Sequence, residues 1–352
     1  MVVVHHVMLS LPDPLRDDLR FIGLPLLMGG RFAVMLFFVL SGFVLALPYF
    51  ARTNLAYGPY LVRRFCRLYP PFAFAVLVSA LLCRLLGGPS LPMVSSWVTD
   101  PWSSPVTSGV VLSHLLMTGI HWSRSIGLNS PIWSLIIEMH ISIMFPLLVL
   151  YVRRFGWSGV AAALVAAFVC AKARAALGET SNLVAESFVG ALLLTGRYVV
   201  LFLLGVIVAA RLDRIKEMFV RVPGKLHVAV FSGMVFIWMM LGYTKTVLTH
   251  QGYVDVFCAV FTMYLIVFCV ASPKFSNRLS GRVFLWLGDI SYSLYLIHLP
   301  VLTAVFYLFY GRMSLSAMIA VAFPAMLLAG HAMHYLIERP SMKLGRKLAQ
   351  RV

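Results

Sequence analysis

Apolar residues fall into long, nearly unbroken runs along the chain, and polar and basic residues gather between them. A helix needs about 20 apolar residues to cross a bilayer. The pattern predicts nine such helices, over 31–50, 68–87, 131–151, 157–177, 196–211, 227–243, 252–271, 288–311 and 314–337. The chain also opens on an apolar stub, Met1-Val2-Val3-Val4, running into His5-His6. That stub is too short to span and reads as the second half of a first helix. A signal peptide fits poorly, because there is no basic start and no small-residue cleavage site. The expected fold is all-α: a single polytopic transmembrane helix bundle over residues 1–352, about ten helices, the first truncated. The longest stretch without a spanning run is about 88–130, with Pro89, Pro92, Pro101 and Pro105 and with Trp97, Trp102 and Trp122. Its apolar part, Val110 to Ile120, is too short to span and is expected to lie at the interface or to re-enter the bundle.

Composition sharpens this picture. Hydrophobic residues make up 61% of the chain and charged residues only 12%, against about 25% charged in an ordinary soluble domain. A soluble enzyme, a disordered chain and a secreted disulfide scaffold are excluded. The formal net charge is +17. Basic excess in a membrane protein collects in cytoplasmic loops facing anionic lipid, so nucleic acid is not the implied partner. Alternating the ten helices from a cytoplasmic amino terminus puts most of the 29 Lys and Arg on one side. That side holds Arg52, the Arg63–Arg67 cluster, Arg153, Arg154, the Arg211–Lys225 loop, Lys274, Arg278, Arg282 and the carboxyl-terminal cations. The five cysteines show no CxxC spacing and read as packing residues.

Ionisable residues inside a membrane are costly and mark candidate sites. Glu138 lies about two turns into the helix opened by Pro131-Ile132-Trp133-Ser134 and needs a buried partner. Asp255 and Asp289 lie near helix starts, where capping or the helix dipole accounts for a carboxylate. His6, His140, His298, His331 and His334 are each open to a catalytic role or to a hydrogen-bonded structural one. No His-x-x-x-His with a carboxylate suggests a metal. The Arg63-Arg64-Phe65-Cys66-Arg67 cluster reads either as a positive-inside anchor in the first cytoplasmic loop or as a phosphate clamp.

Six segments then carry a resemblance. Leu36-Phe37-Phe38-Val39-Leu40-Ser41-Gly42-Phe43, Arg63-Arg64-Phe65-Cys66-Arg67-Leu68-Tyr69-Pro70 and Trp133-Ser134-Leu135-Ile136-Ile137-Glu138 are three of them. The others are Phe202-Leu203-Leu204-Gly205, the run from Gly288-Asp289-Ile290-Ser291-Tyr292-Ser293 to Leu294-Tyr295-Leu296-Ile297-His298, and Leu336-Ile337-Glu338-Arg339-Pro340. In this order they resemble the LFFVLSGF, RRxxRxxP, WSLxxE, FxxG, GxISYSLYLxH and IERP motifs of the acyltransferase 3 family. Members of that family are integral-membrane enzymes that acetylate O-antigen, exopolysaccharide and other cell-surface sugars. The resemblance places His6 at the family's catalytic histidine, with His5 the adjacent alternative. The family's arginine, separated from that histidine by ten residues, would lie six positions before Met1, which reads as a late recorded start. Met35 stands where many members have a polar residue.

The resemblance implies an O-acetyltransferase-type enzyme of the bacterial inner membrane, multi-pass. It would move an acyl group, acetyl in most members, from cytoplasmic acyl-CoA to a hydroxyl of an extracytoplasmic carbohydrate. The expected roles are His6 as base or transient acyl carrier, Glu138 as its orienting carboxylate, and Arg64 and Arg67 at the donor phosphates. Trp133, Ser134 and His298 are expected to line the cavity. Acyl-CoA is then a donor substrate, membrane lipid the surroundings, and no metal is implied. The rival classes are a proton-coupled transporter and a polysaccharide-export component without acyl-transfer chemistry.

Overall fold

The structure, a computed structural model, describes residues 1–13, 15, 16, 18, 29–51, 56–117, 128–179, 185, 187–243 and 251–352. Arg52, Trp122 and the end of the Val110–Ile120 segment lie outside the described residues. Among the described residues there is no strand. The helices are α1 (Val2–Leu9), α2 (Gly30–Phe50), α3 (Tyr57–Leu86), α4 (Ser108–Leu115), α5 (Trp133–Ala176), α6 (Phe188–Ala210) and α7 (Leu212–Arg221). They continue with α8 (Gly224–Tyr243), α9 (Gln251–Ala271), α10 (Pro273–Leu279), α11 (Arg282–Phe309), α12 (Leu315–Met333) and α13 (Arg339–Leu348). Among the described residues, eight helical segments are long and apolar enough to cross a membrane. One of these, α5, contains two of the predicted spans. It breaks at Gly156, whose φ of 55° and ψ of −132° are not helical and suit glycine. The Tyr151 hydroxyl donates to the Gly159 carbonyl at 3.0 Å. Eight residues of straight helix would rise about 12 Å, so the chain folds back here.

Two glycines set the closest helix contact. A Cβ on Gly42 would lie 2.8 Å from the Phe202 carbonyl carbon, and one on Gly205 would lie 2.9 Å from the Gly42 carbonyl carbon. Small residues let backbones approach this way in membranes, where lipid offers helices no hydrophobic drive to associate. Around this α2–α6 contact, Met35, Phe38, Val39, Phe145, Phe202 and Val206 form the largest apolar core. The segment after α3 packs over the carboxyl-terminal ends of α1 and α11. Ser95 N–H donates to the Ser10 carbonyl at 2.9 Å, the Tyr307 hydroxyl donates to the Gly88 carbonyl at 3.0 Å, and Val94 and Val98 pack with Val7 and Leu302.

The carboxyl-terminal membrane helix passes through a π-turn, His334–Glu338, into α13. Pro340 supplies a local cause, because it has no N–H to close a regular turn on Leu336. Helix α13 is amphipathic: Gly345 and Ala349 are buried, Leu344 and Leu348 are exposed on one flank, and Lys343, Arg346 and Lys347 are exposed on another. It packs along the start of α3, with Gly345 against Cys66 and Val352 against Gly58.

Candidate active site

His6 reaches its position on α1, and His298 lies midway along α11. His6 Nδ1 and His298 Nε2 are 2.6 Å apart, and the two rings are parallel to within 2°. His298 Nδ1 faces the Tyr295 carbonyl at 2.8 Å and the Leu294 carbonyl at 3.1 Å. A carbonyl only accepts, so the neutral ring of His298 carries its hydrogen on Nδ1 and its lone pair on Nε2. His6 must then donate from Nδ1, which leaves the lone pair of His6 on Nε2, where it meets no hydrogen-bond partner among the described residues. Two backbone carbonyls thereby fix the tautomer of a histidine two rings away. Trp97 lies over His6 with ring centroids 5.1 Å apart. His298 is completely buried, whereas His6 is only partly so.

The second centre is an ion pair. Arg64 donates from Nη2 to Glu138 Oε1 and from Nε to the Ser142 hydroxyl at 3.0 Å. Glu138 is 2% exposed and Arg64 8%. The other carboxylate oxygen, Oε2, is buried without a hydrogen-bond partner, and Arg67 and Ser41 also bear on the charge. The expected contact between Glu138 and His6 does not form: Glu138 takes Arg64, and His6 takes His298. The physical reason is that a buried carboxylate is best neutralised by a permanently charged guanidinium, and Arg64 faces it from α3. The Arg63–Arg67 cluster is not in a loop. It belongs to α3, which begins at Tyr57 and runs through Pro70 and Pro71. Arg64 therefore points inward, while Arg63 and Arg67 are exposed.

Tyr295 connects the two centres. Its hydroxyl donates to the Pro131 carbonyl at 2.7 Å and meets the Ser134 hydroxyl at 2.8 Å, and it stands within electrostatic reach of Glu138. Its own carbonyl is one of the two that hold His298. Trp133 packs between Phe38 and Tyr198, with centroids 6.2 and 5.7 Å away. His140 makes a helix-to-helix contact with the Thr195 hydroxyl at 3.1 Å.

Two further clusters join residues whose partners the sequence did not indicate. Asp255 is not a cap. It is the fifth residue of α9, accepts from Arg31 at 2.7 and 2.8 Å and from Arg197 at 3.0 Å, and is 9% exposed. The signal was available, since Arg31 and Arg197 both fall inside predicted spans and need an anion there. Glu338, of the IERP segment, accepts from the Ser293 hydroxyl at 2.6 Å and contacts His334 Nδ1 at 3.0 Å. Tyr292 donates to the Leu68 carbonyl at 2.7 Å. The separated motifs thus interlock: SYSLY with WS, with the arginine segment, and with IERP.

Comparison with known proteins agrees with this arrangement. The chain is 28% identical over 345 residues to Acyltransferase MdmB of Streptomyces mycarofaciens, covering 90% of this chain and 82% of that protein. No solved structure matches. A family model described as an acyltransferase domain matches residues 1–333, which is most of the chain. With its interlocked motifs and its bundle of membrane-length helices, this chain belongs to the acyltransferase 3 family of membrane acyltransferases.

Proposed function

We propose that this membrane acyltransferase takes an acyl group, acetyl in the simplest case, from cytoplasmic acyl-CoA and transfers it to a carbohydrate hydroxyl on the opposite side of a bacterial inner membrane. The observation that carries the reading is the His6–His298 pair, which leaves a lone pair on His6 Nε2. A sugar hydroxyl is a weak nucleophile at neutral pH and needs a base. In the proposed step, His6 Nε2 accepts the hydroxyl proton as the oxygen attacks the thioester carbonyl. The C–S bond then breaks, the imidazolium returns its proton to the departing thiolate, and the ester remains on the sugar. The positive charge that His6 carries meanwhile is shared with His298 Nε2 through the hydrogen bond from Nδ1.

In the same reading the Arg64–Glu138 pair holds the adjoining helices in register, and the unpartnered Oε2 of Glu138 is available to a polar group of a substrate. Ser134, which meets Tyr295, and Trp133, which packs on Phe38 and Tyr198, form the acceptor-side wall. Exposed Arg63 and Arg67 face the donor phosphates, where forked guanidinium donors suit phosphate oxygens. The test uses membranes containing the protein, radiolabelled acetyl-CoA and a panel of polysaccharide acceptors. Label should pass to acceptor in an alkali-labile ester, and His6→Ala should abolish it while His5→Ala does not. Equal labelling by wild type and His6→Ala would overturn the reading.

A further inference from the structure

The carboxyl-terminal helix has no part in the chemistry above, yet it lies directly on the arginine segment. A Cβ at position 345 would be 2.6 Å from the Cys66 Cβ and 3.5 Å from the Arg63 Cα. Only glycine allows that approach, and it brings α13 against the turn that carries Arg63 and Arg67. The seven exposed cations here, Arg63, Arg67, Arg339, Lys343, Arg346, Lys347 and Arg351, have no ion-pair partner among the described residues. No Asp or Glu occurs in 57–70 or 339–352. Like charges gathered this closely repel one another and weaken the fold unless an anion neutralises them. The pairing of two helices at a glycine contact thus builds a cationic platform beside Arg64, whose own charge is already spent on Glu138.

We infer that α13 and the start of α3 together form a site for phosphate esters, and that its ligand is the phosphorylated nucleotide end of the acyl donor. This rests on the proposed use of acyl-CoA. That donor carries a diphosphate and a ribose 3′-phosphate, several anionic groups spread over one extended ligand, which suits cations spread over two helices better than a single clamp. Lipid phosphates offer the same chemistry, and α13, with Leu344 and Leu348 exposed beside its cations, has the make-up of an interfacial helix. The experiment must separate the two sources.

The full chain is reconstituted in nanodiscs of pure phosphatidylcholine and, in parallel, in nanodiscs containing phosphatidylglycerol. Binding of CoA and of 3′-dephospho-CoA is measured calorimetrically for wild type and for the triple variant Lys343→Ser/Arg346→Ser/Lys347→Ser, with thermal unfolding as the control for fold. The positions are exposed and the packing glycine is kept. In neutral discs the variant should bind CoA about tenfold more weakly, since three exposed charge contacts, each of modest strength, are lost together. Its preference for CoA over 3′-dephospho-CoA should shrink as well. Wild-type binding with an unchanged variant affinity in neutral discs overturns the inference. An effect confined to the anionic discs assigns the platform to lipid headgroups and also overturns it. Absence of CoA binding by wild type overturns the proposed function itself.

Discussion

Replacing Glu138 by leucine removes the only carboxylate that Arg64 contacts among the described residues. The side chains of Arg64 and Glu138 are 9% and 2% exposed, so the guanidinium left behind has no water to turn to and keeps only the Ser142 hydroxyl. Breaking a buried pair from one side costs about 3–5 kcal/mol, roughly two to three and a half orders of magnitude in the folding equilibrium. For a chain of this size that corresponds to a fall of about 5 °C in melting temperature. The double variant Arg64→Met/Glu138→Leu removes both charges and should recover most of the loss, because an apolar pair of similar volume needs no neutralisation. Unfolding is followed in detergent with a thiol-reactive fluorophore, which reports on the buried free thiols of Cys66, Cys83 and Cys258. Coupling of about 2 kcal/mol or more between the two positions is expected. If the losses of Arg64→Met and Glu138→Leu simply add in the double variant, the two residues do not form the buried pair described above. Acyl transfer measured on the same proteins separates support from chemistry: a stable double variant with full activity would leave Glu138 no part in the reaction.

Three other outcomes are expected. Gly205→Ala must push α2 from α6 and should cost about 1–3 kcal/mol, read as lowered thermal stability, whereas Gly233→Ala, with open space around it, should be neutral or slightly stabilising. His298→Gln offers a carbonyl to His6 Nδ1 and should keep measurable turnover, while His298→Ala should lose about a hundredfold; equal loss in both would show that accepting from His6 is not what His298 does. In a cysteine-free background, Asp100→Cys should react with an impermeant reagent from outside the cell and Arg214→Cys should not, following the distribution of Lys and Arg.

Hydropathy located the spans well because membrane crossing imposes a length and an apolar composition that no other constraint imitates. It missed where helices continue past the hydrocarbon. The regions of α3 before residue 68 and of α11 before residue 288 carry charged or glycine-containing turns that lower a hydropathy average while their backbone stays helical. That is why the arginine cluster reads as a loop in the sequence and is a helix in the fold. The partners of Glu138 and His6 were illegible for a different reason. Each is chosen by three-dimensional proximity between α1, α3, α5 and α11, segments far apart in sequence, and nothing in the spacing of WSLxxE states which cation will face its glutamate. Asp255 is the instructive case: its position near a helix start suggested a cap, yet the two arginines opposite it on α2 and α6 decided its role.

The π-turn at His334–Glu338 has a consequence for how this protein tolerates change in length. A helix advances about 100° and 1.5 Å per residue, so the turn acts as a phase setting between the membrane helix before it and the surface helix after it. A residue added there, or lost from the regular helix on either side, would swing everything beyond through about a quarter-turn. Gly345 would leave Cys66, a bulkier neighbour would meet the arginine helix, and the cations of α13 would face a different direction. Insertions and deletions that a surface loop absorbs without effect should therefore be excluded from this stretch, although it lies close to the end of the chain, where length is ordinarily free to vary.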